Sequence, residues 1–265
     1  MAFLKNIIRQ IVLGQSAERT APAQPTMSPV IPDGTLVYAV GDIHGRSDLL
    51  KRLHEMIRAD IRTQNPSRAV VVYVGDYIDR GDASRDVLEI LINDPLAGVE
   101  TVHLLGNHEA FMLTFLEDPG VGELWLKTGG QATVYSYGAG APSISDREQR
   151  HRIMRDAPRA KRPDAHLDFL RSLRRYHVEG EYAFVHAGIK PGVPLADQVD
   201  DDVLWIRGEF LETRADHGKC IVHGHTITDD IEVRPNRIGI DTGAYFSGTL
   251  SCLVLDGEAR AVLQT

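Results

Sequence analysis

Five short polar islands, each containing glycine, constrain this chain more than any other feature: Gly41-Asp42-Ile43-His44-Gly45, Gly75-Asp76-Tyr77-Ile78-Asp79-Arg80-Gly81, Gly106-Asn107-His108-Glu109, His186-Ala187-Gly188 and His223-Gly224-His225. Apolar, β-branched runs lead into them, as Leu36 to Val40 leads into the first and Ala69 to Val74 into the second. Runs of this kind read as buried strands, and glycine next to them lets the backbone turn sharply. Carboxylate, amide and imidazole groups are thus gathered where strands end and loops begin, which is where α/β folds place their chemistry. An isolated Asp-Gly turn carries no such message, since both residues are ordinary turn formers; five islands of this composition imply metal-assisted hydrolysis.

The spacing divides the ligands. Asp42 and His44 stand two residues apart in a turn framed by Gly41 and Gly45, so both can face one hole and form half of a first metal site. Asp76, with two oxygens and a place between the half-sites in sequence, suits a bridge between two cations. Asn107, His186 and His225 then complete the second site. Asn is a neutral ligand, so the ion pair keeps a high residual positive charge that acidifies a bridging water and attracts phosphate. With ions about 3.5–4 Å apart, that water is the nucleophile of an in-line displacement and no phosphoenzyme is required.

The order and wording of the islands resemble the phosphoprotein phosphatases of the binuclear metallophosphoesterase superfamily, from about Leu36 to the C-terminus. The resemblance implies the calcineurin-like metallophosphoesterase fold, an α/β two-sheet mixed β-sandwich flanked by helices. It makes His108 the general acid on the leaving-group side, with Asp79 holding its other ring nitrogen. Arg80, in the same loop, can grip two phosphate oxygens at once, and Asn107 also reaches the phosphate. Arg207 in Leu204-Trp205-Ile206-Arg207 resembles the Trp-x-Arg element of bacterial and phage members and is a second clamp. In His223-Gly224-His225-Thr226 the family pattern puts the metal on His225; His223 is either a further ligand or a hydrogen-bonding residue behind the ligands.

The activity so implied is metal-dependent hydrolysis of phosphoserine and phosphothreonine in phosphoproteins, with phosphotyrosine presenting the same phosphate. A related branch hydrolyses dinucleoside polyphosphates or other small phosphorylated molecules; it typically shows Gln where this chain has His44 and lacks the acid found here at Asp79. A non-catalytic binding scaffold is the third reading, and the intact ligand set argues against it. The two ions fit Mn²⁺, Fe or Zn²⁺ by ligand chemistry, and Mn²⁺ is expected to support activity in vitro.

At 265 residues and 43% hydrophobic content the chain can bury one large core, read as a catalytic domain over residues 34–265. A net charge of −8 excludes a general nucleic-acid binder. A basic stretch from Arg147 to Arg175, including Arg171 and Arg174, reads as a solvated helical face or as a docking surface for acidic or phosphorylated protein segments. Cys220 and Cys252 lie in apolar runs away from the islands and suit a reduced, cytoplasmic protein. Residues 1–33 differ in kind. Phe3, Leu4, Ile7, Ile8, Ile11 and Val12 mark an amphipathic helix, and the proline-containing segment to Asp33 reads as an extended linker. Charge interrupts this arm too often for a membrane span; it packs on its own domain, on a second subunit or peripherally on a membrane.

Three βα steps are expected first: Leu36–Val40 then a helix from Ser47 or Asp48, Ala69–Val74 then Ser84–Ile92, and Val99–Leu105 then Glu109–Leu116. Later segments read mostly as strands, from Tyr182–Val185 through Ile221–Val222, Ile231–Val233 and Ile238–Ile240 to a hairpin of Thr249–Leu255 and Arg260–Leu263 turning at Asp256-Gly257. Residues 118–180 read as groove wall or plain loop, with Gly129-Gly130 and Tyr137-Gly138 resembling a WLxxGG and SYG pattern in bacterial relatives. His54, His103, His151, His166, His177 and His217 read as solvated or capping residues rather than ligands.

Overall fold

A computed structural model describes residues 29–138 and 163–265. The amphipathic arm and most of the basic stretch lie outside the described residues. No helix among the described residues is long and apolar enough to cross a membrane.

The first βα steps fold as their periodicity predicts. Strand β1 (Thr35–Val40) leads to helix α1 (Ser47–Gln64), β2 (Arg68–Tyr73) to α2 (Ser84–Asn93), and β3 (Glu100–His103) to α3 (Asn107–Glu117). The third helix starts two residues earlier than expected, because Glu109 caps it by reaching back to the Gly106 N–H. Short helices α4 (Gly122–Trp125) and α5 (Gln131–Ser136) follow, joined by a wide turn over Leu126–Gly130, and then α6 (Asp164–Ser172). The second half supplies β4 (Tyr176–Glu179), which was not foreseen, β5 (Tyr182–Val185), α7 (Asp200–Trp205), α8 (Gly208–Leu211) and β6 (Cys220–His223). It ends with β7 (Glu232–Val233), β8 (Arg237–Gly239), α9 (Ala244–Ser247) and the hairpin of β9 (Ser251–Asp256) and β10 (Ala259–Gln264).

Two five-stranded sheets result among the described residues, ordered β10-β9-β1-β2-β3 and β4-β5-β6-β8-β7. In the first, β1, β2 and β3 run parallel, with Val37 opposite Val70 and Val70 opposite Glu100; β9 returns antiparallel to β1. In the second, β5, β6 and β8 run parallel, with antiparallel β4 and β7 at the edges.

Alternation along the strands of the first sheet separates two cores, and the outer face of the second sheet packs a third around Val185, Ile206, Phe210 and Ile221. Val37, Ala39, Val70 and Val72 face the other sheet and meet Tyr182, Phe184, Val222 and Ile238. Leu36, Tyr38, Val71 and Tyr73 face outward and are covered by Leu50, Leu53, Val87, Leu88 and Phe115 from the helices. Residues between the sheets must be apolar on both partners, and this is why the strands read as near-continuous Val and Ile runs. The stacking also brings the C-terminal ends of β1, β2 and β3 beside those of β5, β6 and β8, so every polar island lies on one rim.

Candidate metal and phosphate site

Backbone geometry at that rim is unusual. Six non-glycine residues have positive φ among the described residues: His44, Asn65, Asp76, Asp79, Arg80 and His225. Asn65 is the left-handed cap of α1; the other five come from the islands. Left-handed backbone costs a non-glycine residue of order 1–3 kcal/mol and persists where the surroundings dictate it. Glu109 shows how this is done, since its buried carboxylate accepts the N–H groups of Asp76 (2.9 Å), Tyr77 (2.8 Å), Ile78 (3.2 Å) and Gly106 (3.1 Å). Glycine is required by contact as well: a Cβ at Gly224 would overlap Asp42 Oδ1.

The predicted ligands converge, and all are buried. Asp76 lies at the centre, with Oδ2 3.5 Å from His44 Nε2 and Oδ1 3.5 Å from His186 Nε2. One oxygen therefore faces each group of imidazoles, as a bridging carboxylate would. Asn107 Oδ1 is 2.8 Å from His186 Nε2 and 2.9 Å from His225 Nδ1. Asp42 accepts the His225 backbone N–H at 3.1 Å, which joins the first island to the last.

Backbone carbonyls orient two of the rings. His44 Nδ1–H donates to Ile78 O at 2.8 Å and His186 Nδ1–H to Val74 O at 3.0 Å, so each Nε2 presents a lone pair to the cluster. Burial pushes the pKa of both, and of His225, below the ordinary range, which keeps those lone pairs free of protons. His44 Nε2 is buried with no hydrogen-bond partner. His186 Nε2 and Asn107 Oδ1 are two acceptors at 2.8 Å, which repel unless a cation lies between them. Donor atoms about 3 Å apart are also spaced as two ligands at near-right angles on one ion, each about 2.0–2.2 Å from it. The donor set thus fits a pair of metal ions, and two groups could hold them: His44, Asp76 and His108, and Asp76, His186 and His225.

Distance alone groups His108 with the first set, but its contacts set it apart. His108 Nδ1–H donates to Asp79 Oδ2 at 2.6 Å, while Nε2 is 3.3 Å from Arg80 Nη2. A guanidinium against that nitrogen competes with a cation there. Burial lowers the His108 pKa, yet Asp76 and Asp79 outweigh it and the net direction is up. Arg80 also lies over the Tyr245 ring at 4.9 Å, and that ring meets His44 edge-on at 5.5 Å. Arg207 stands exposed at the rim, held by Thr226 Oγ1 (3.1 Å) and His225 O (3.3 Å).

His223 is not part of the cluster. Its ring packs edge-on to Phe210 at 5.1 Å, with Nε2 3.3 Å from Arg237 Nη1. Among the described residues the other histidines stand apart from the cluster, His151 lying outside those residues, and two of them are not solvated: His54 is buried on Tyr73 Oη (2.7 Å) and His166 is buried with Nδ1 2.7 Å from Tyr137 Oη. Both belong to amphipathic helices whose apolar faces enclose them.

Sequence reasoning missed Asp241, Tyr245, Trp125 and Thr133. Asp241 follows β8 as Asp42 follows β1, the one signal that could have found it; it is buried beside Asp42, and that burial first, then Asp76, pushes its pKa up to about 6. Trp125 Nε1–H donates to Asp79 Oδ2 at 2.8 Å and Thr133 Oγ1–H to Asp79 Oδ1 at 2.5 Å, so the segment read as groove wall or loop in fact seats the His108–Asp79 pair.

Strand ends that deliver these residues to one rim, around a donor set fitted to two cations, define a metallophosphoesterase. Residues 35–247 match the calcineurin-like phosphoesterases, and the chain belongs to that family. It is 30% identical over 227 residues to serine/threonine-protein phosphatase 2 of Escherichia coli strain K12, spanning 81% of this chain and 90% of that protein. It is also 29% identical over 156 residues to a symmetrical bis(5'-nucleosyl)-tetraphosphatase of Aromatoleum aromaticum, spanning 59% of this chain and 45% of that protein. A crystal structure provisionally named as a diadenosine tetraphosphatase shares the fold with a TM-score of 0.57 at 22% identity, covering 91% of this chain and 95% of that one.

Proposed function

We propose that this hydrolase acts on phosphomonoesters in proteins, phosphoserine and phosphothreonine first, with phosphotyrosine offering the same phosphate. The observation that carries the reading is the 2.6 Å contact between His108 Nδ1 and Asp79 Oδ2, next to Arg80. An aliphatic alkoxide is a poor leaving group and needs a proton as it departs, and an oriented imidazole supplies one.

In this reading Asp42, His44 and Asp76 hold one ion, and Asp76, Asn107, His186 and His225 hold the other. When bound, the pair supplies Lewis-acid polarisation of the phosphoryl oxygens and activates a water. Arg80 and Arg207 bear on each other electrostatically, and an anion between two guanidinium groups relieves their repulsion. Asn107 Oδ1 faces the two imidazoles, which leaves its amide N–H₂ to donate to a phosphate oxygen. Tyr245 and Trp205, the latter edge-on to His225 at 6.1 Å, wall the site.

A second reading is hydrolysis of dinucleoside polyphosphates, favoured by the tetraphosphatase relative that matches 59% of this chain. Initial rates on a phosphoserine/phosphothreonine peptide, a phosphotyrosine peptide and diadenosine tetraphosphate, with Mn²⁺ and with chelator, separate the two. Metal-dependent preference for the peptides supports the first reading. Preference for the dinucleotide overturns it.

A further inference from the structure

We infer that Trp125 and Thr133 are positioning residues for the proton donor, holding His108 towards the leaving oxygen of the serine or threonine ester proposed above. The inference rests on the reading of His108 as general acid and names what keeps that acid in place.

Asp79 is fully buried at φ 73°. Its Oδ2 accepts from His108 Nδ1 (2.6 Å) and Trp125 Nε1 (2.8 Å), and its Oδ1 accepts from Thr133 Oγ1 (2.5 Å). Thr133 Oγ1 also accepts the Asp79 backbone N–H at 2.9 Å, so one side chain grips both ends of the residue. The chain between the two donors is shaped around the same loop. Gly129, at φ 126°, accepts the Arg80 N–H on its carbonyl at 3.2 Å, and a Cβ at Gly130 would overlap the Trp125 indole.

A carboxylate held only by His108 could rotate about Cβ–Cγ and turn the ring with it. Three donors from separate elements prevent that rotation, so His108 Nε2 points to one place. The value of a fixed acid grows with the basicity of the leaving oxygen. In the step it serves, the water oxygen forms the new P–O bond while the ester P–O bond breaks with its electron pair on the alkoxyl oxygen. The Nε2 proton passes to that oxygen, and the proton lost by water returns to the imidazole; the products are alcohol and inorganic phosphate. A nitrophenolate or a phosphate chain departs as a stable anion and gains little from the proton.

The test compares Mn²⁺-loaded full-length Trp125→Phe, Thr133→Val and His108→Asn on a phosphoserine peptide and on p-nitrophenyl phosphate. Trp125→Phe and Thr133→Val should each lower kcat on the peptide about tenfold, on the scale of one hydrogen bond to a charged group, with KM and the nitrophenyl rate nearly unchanged. His108→Asn should show the same selectivity with a larger loss. Selective loss in His108→Asn but equal loss on both substrates, or none, in the other two overturns the inference alone. Equal loss in His108→Asn overturns the acid reading and the inference with it. In metal-free protein, Asp79→Asn should shift the indole N–H resonance of Trp125 and leave that of Trp205 in place; an unmoved Trp125 signal overturns the clamp.

Discussion

Asp76 shows how much one residue is asked to do. Its two oxygens face different imidazoles, 3.5 Å away on either side, and Oδ1 also accepts the His108 backbone N–H at 3.1 Å. Asp76→Asn removes the charge shared by both groups, so metal content, read by elemental analysis, and activity should fall together. His108→Asn should keep both metals and lose about 10²–10⁴-fold in turnover of a phosphoserine peptide; an emptied site would assign His108 to the metal instead. Glu109 makes the opposite demand, because four N–H groups converge on it. Glu109→Gln turns an amide N–H₂ against two of those donors and should destabilise the fold by about 2–4 kcal/mol in urea titration.

At the scale of elements, α1 and the first sheet meet through a polar seam inside an apolar interface. His54 on α1 contacts Tyr73 Oη at 2.7 Å, and Tyr73 stacks on His103 of β3 with ring centroids 4.9 Å apart. Burial first, then Arg58, lowers His54 to about 4; burial first, then His54, lowers His103 to about 4. Both rings are therefore neutral when folded, while the unfolded chain takes up protons near pH 6.5. Their contribution is intact above about pH 6.5, is lost as pH falls towards 4, and is level below that. Acidification from pH 7 to 4.5 should lower stability by about 2–3 kcal/mol per histidine, and His54→Leu should flatten the denaturation profile over that window. The elements were legible because their periodicity is strong. β4 was not, since its four residues Tyr176–Glu179 are mostly half-buried or exposed and lack an apolar face.

On the scale of the whole molecule, the candidate ligands come from both sheets, so a bound metal pair would tie the sheets together. Chelation should lower Tm by several degrees, since losing a ligand present at about 100 times its Kd removes about 2.7 kcal/mol from the folded state; an unchanged Tm would mean that the site does not bind metal. The N-terminal boundary is also tertiary. Ile31 is buried and donates to Gly257 O at 3.0 Å, while Val30 O accepts the Glu181 N–H at 3.0 Å, so the first anchored residues tie the second sheet to the β9–β10 turn. Deletion of residues 1–28 should spare metal binding and hydrolysis of small substrates. A cut extending through Ile31, still inside the 1–33 arm and linker that composition suggests, should cost stability.

The sequence by itself determined the strand runs, the glycine turns and which polar residues gather at the rim, because each is written within a few neighbouring residues as a period or a backbone requirement. Asp42, His44, Asp76, Asn107, His186 and His225, the candidate ligands, all lie in the polar islands. Which nitrogen of each ring faces inward was decided by carbonyls from other segments, Ile78 and Val74. The place of His223 behind the site was decided by Arg237 and Phe210. Trp125 and Thr133 reach Asp79 across 46 and 54 residues of chain, and contacts at that separation leave no local period. Only the stacking of the sheets, driven by burial of their shared Val, Ile and Phe faces, brings such groups within hydrogen-bonding distance.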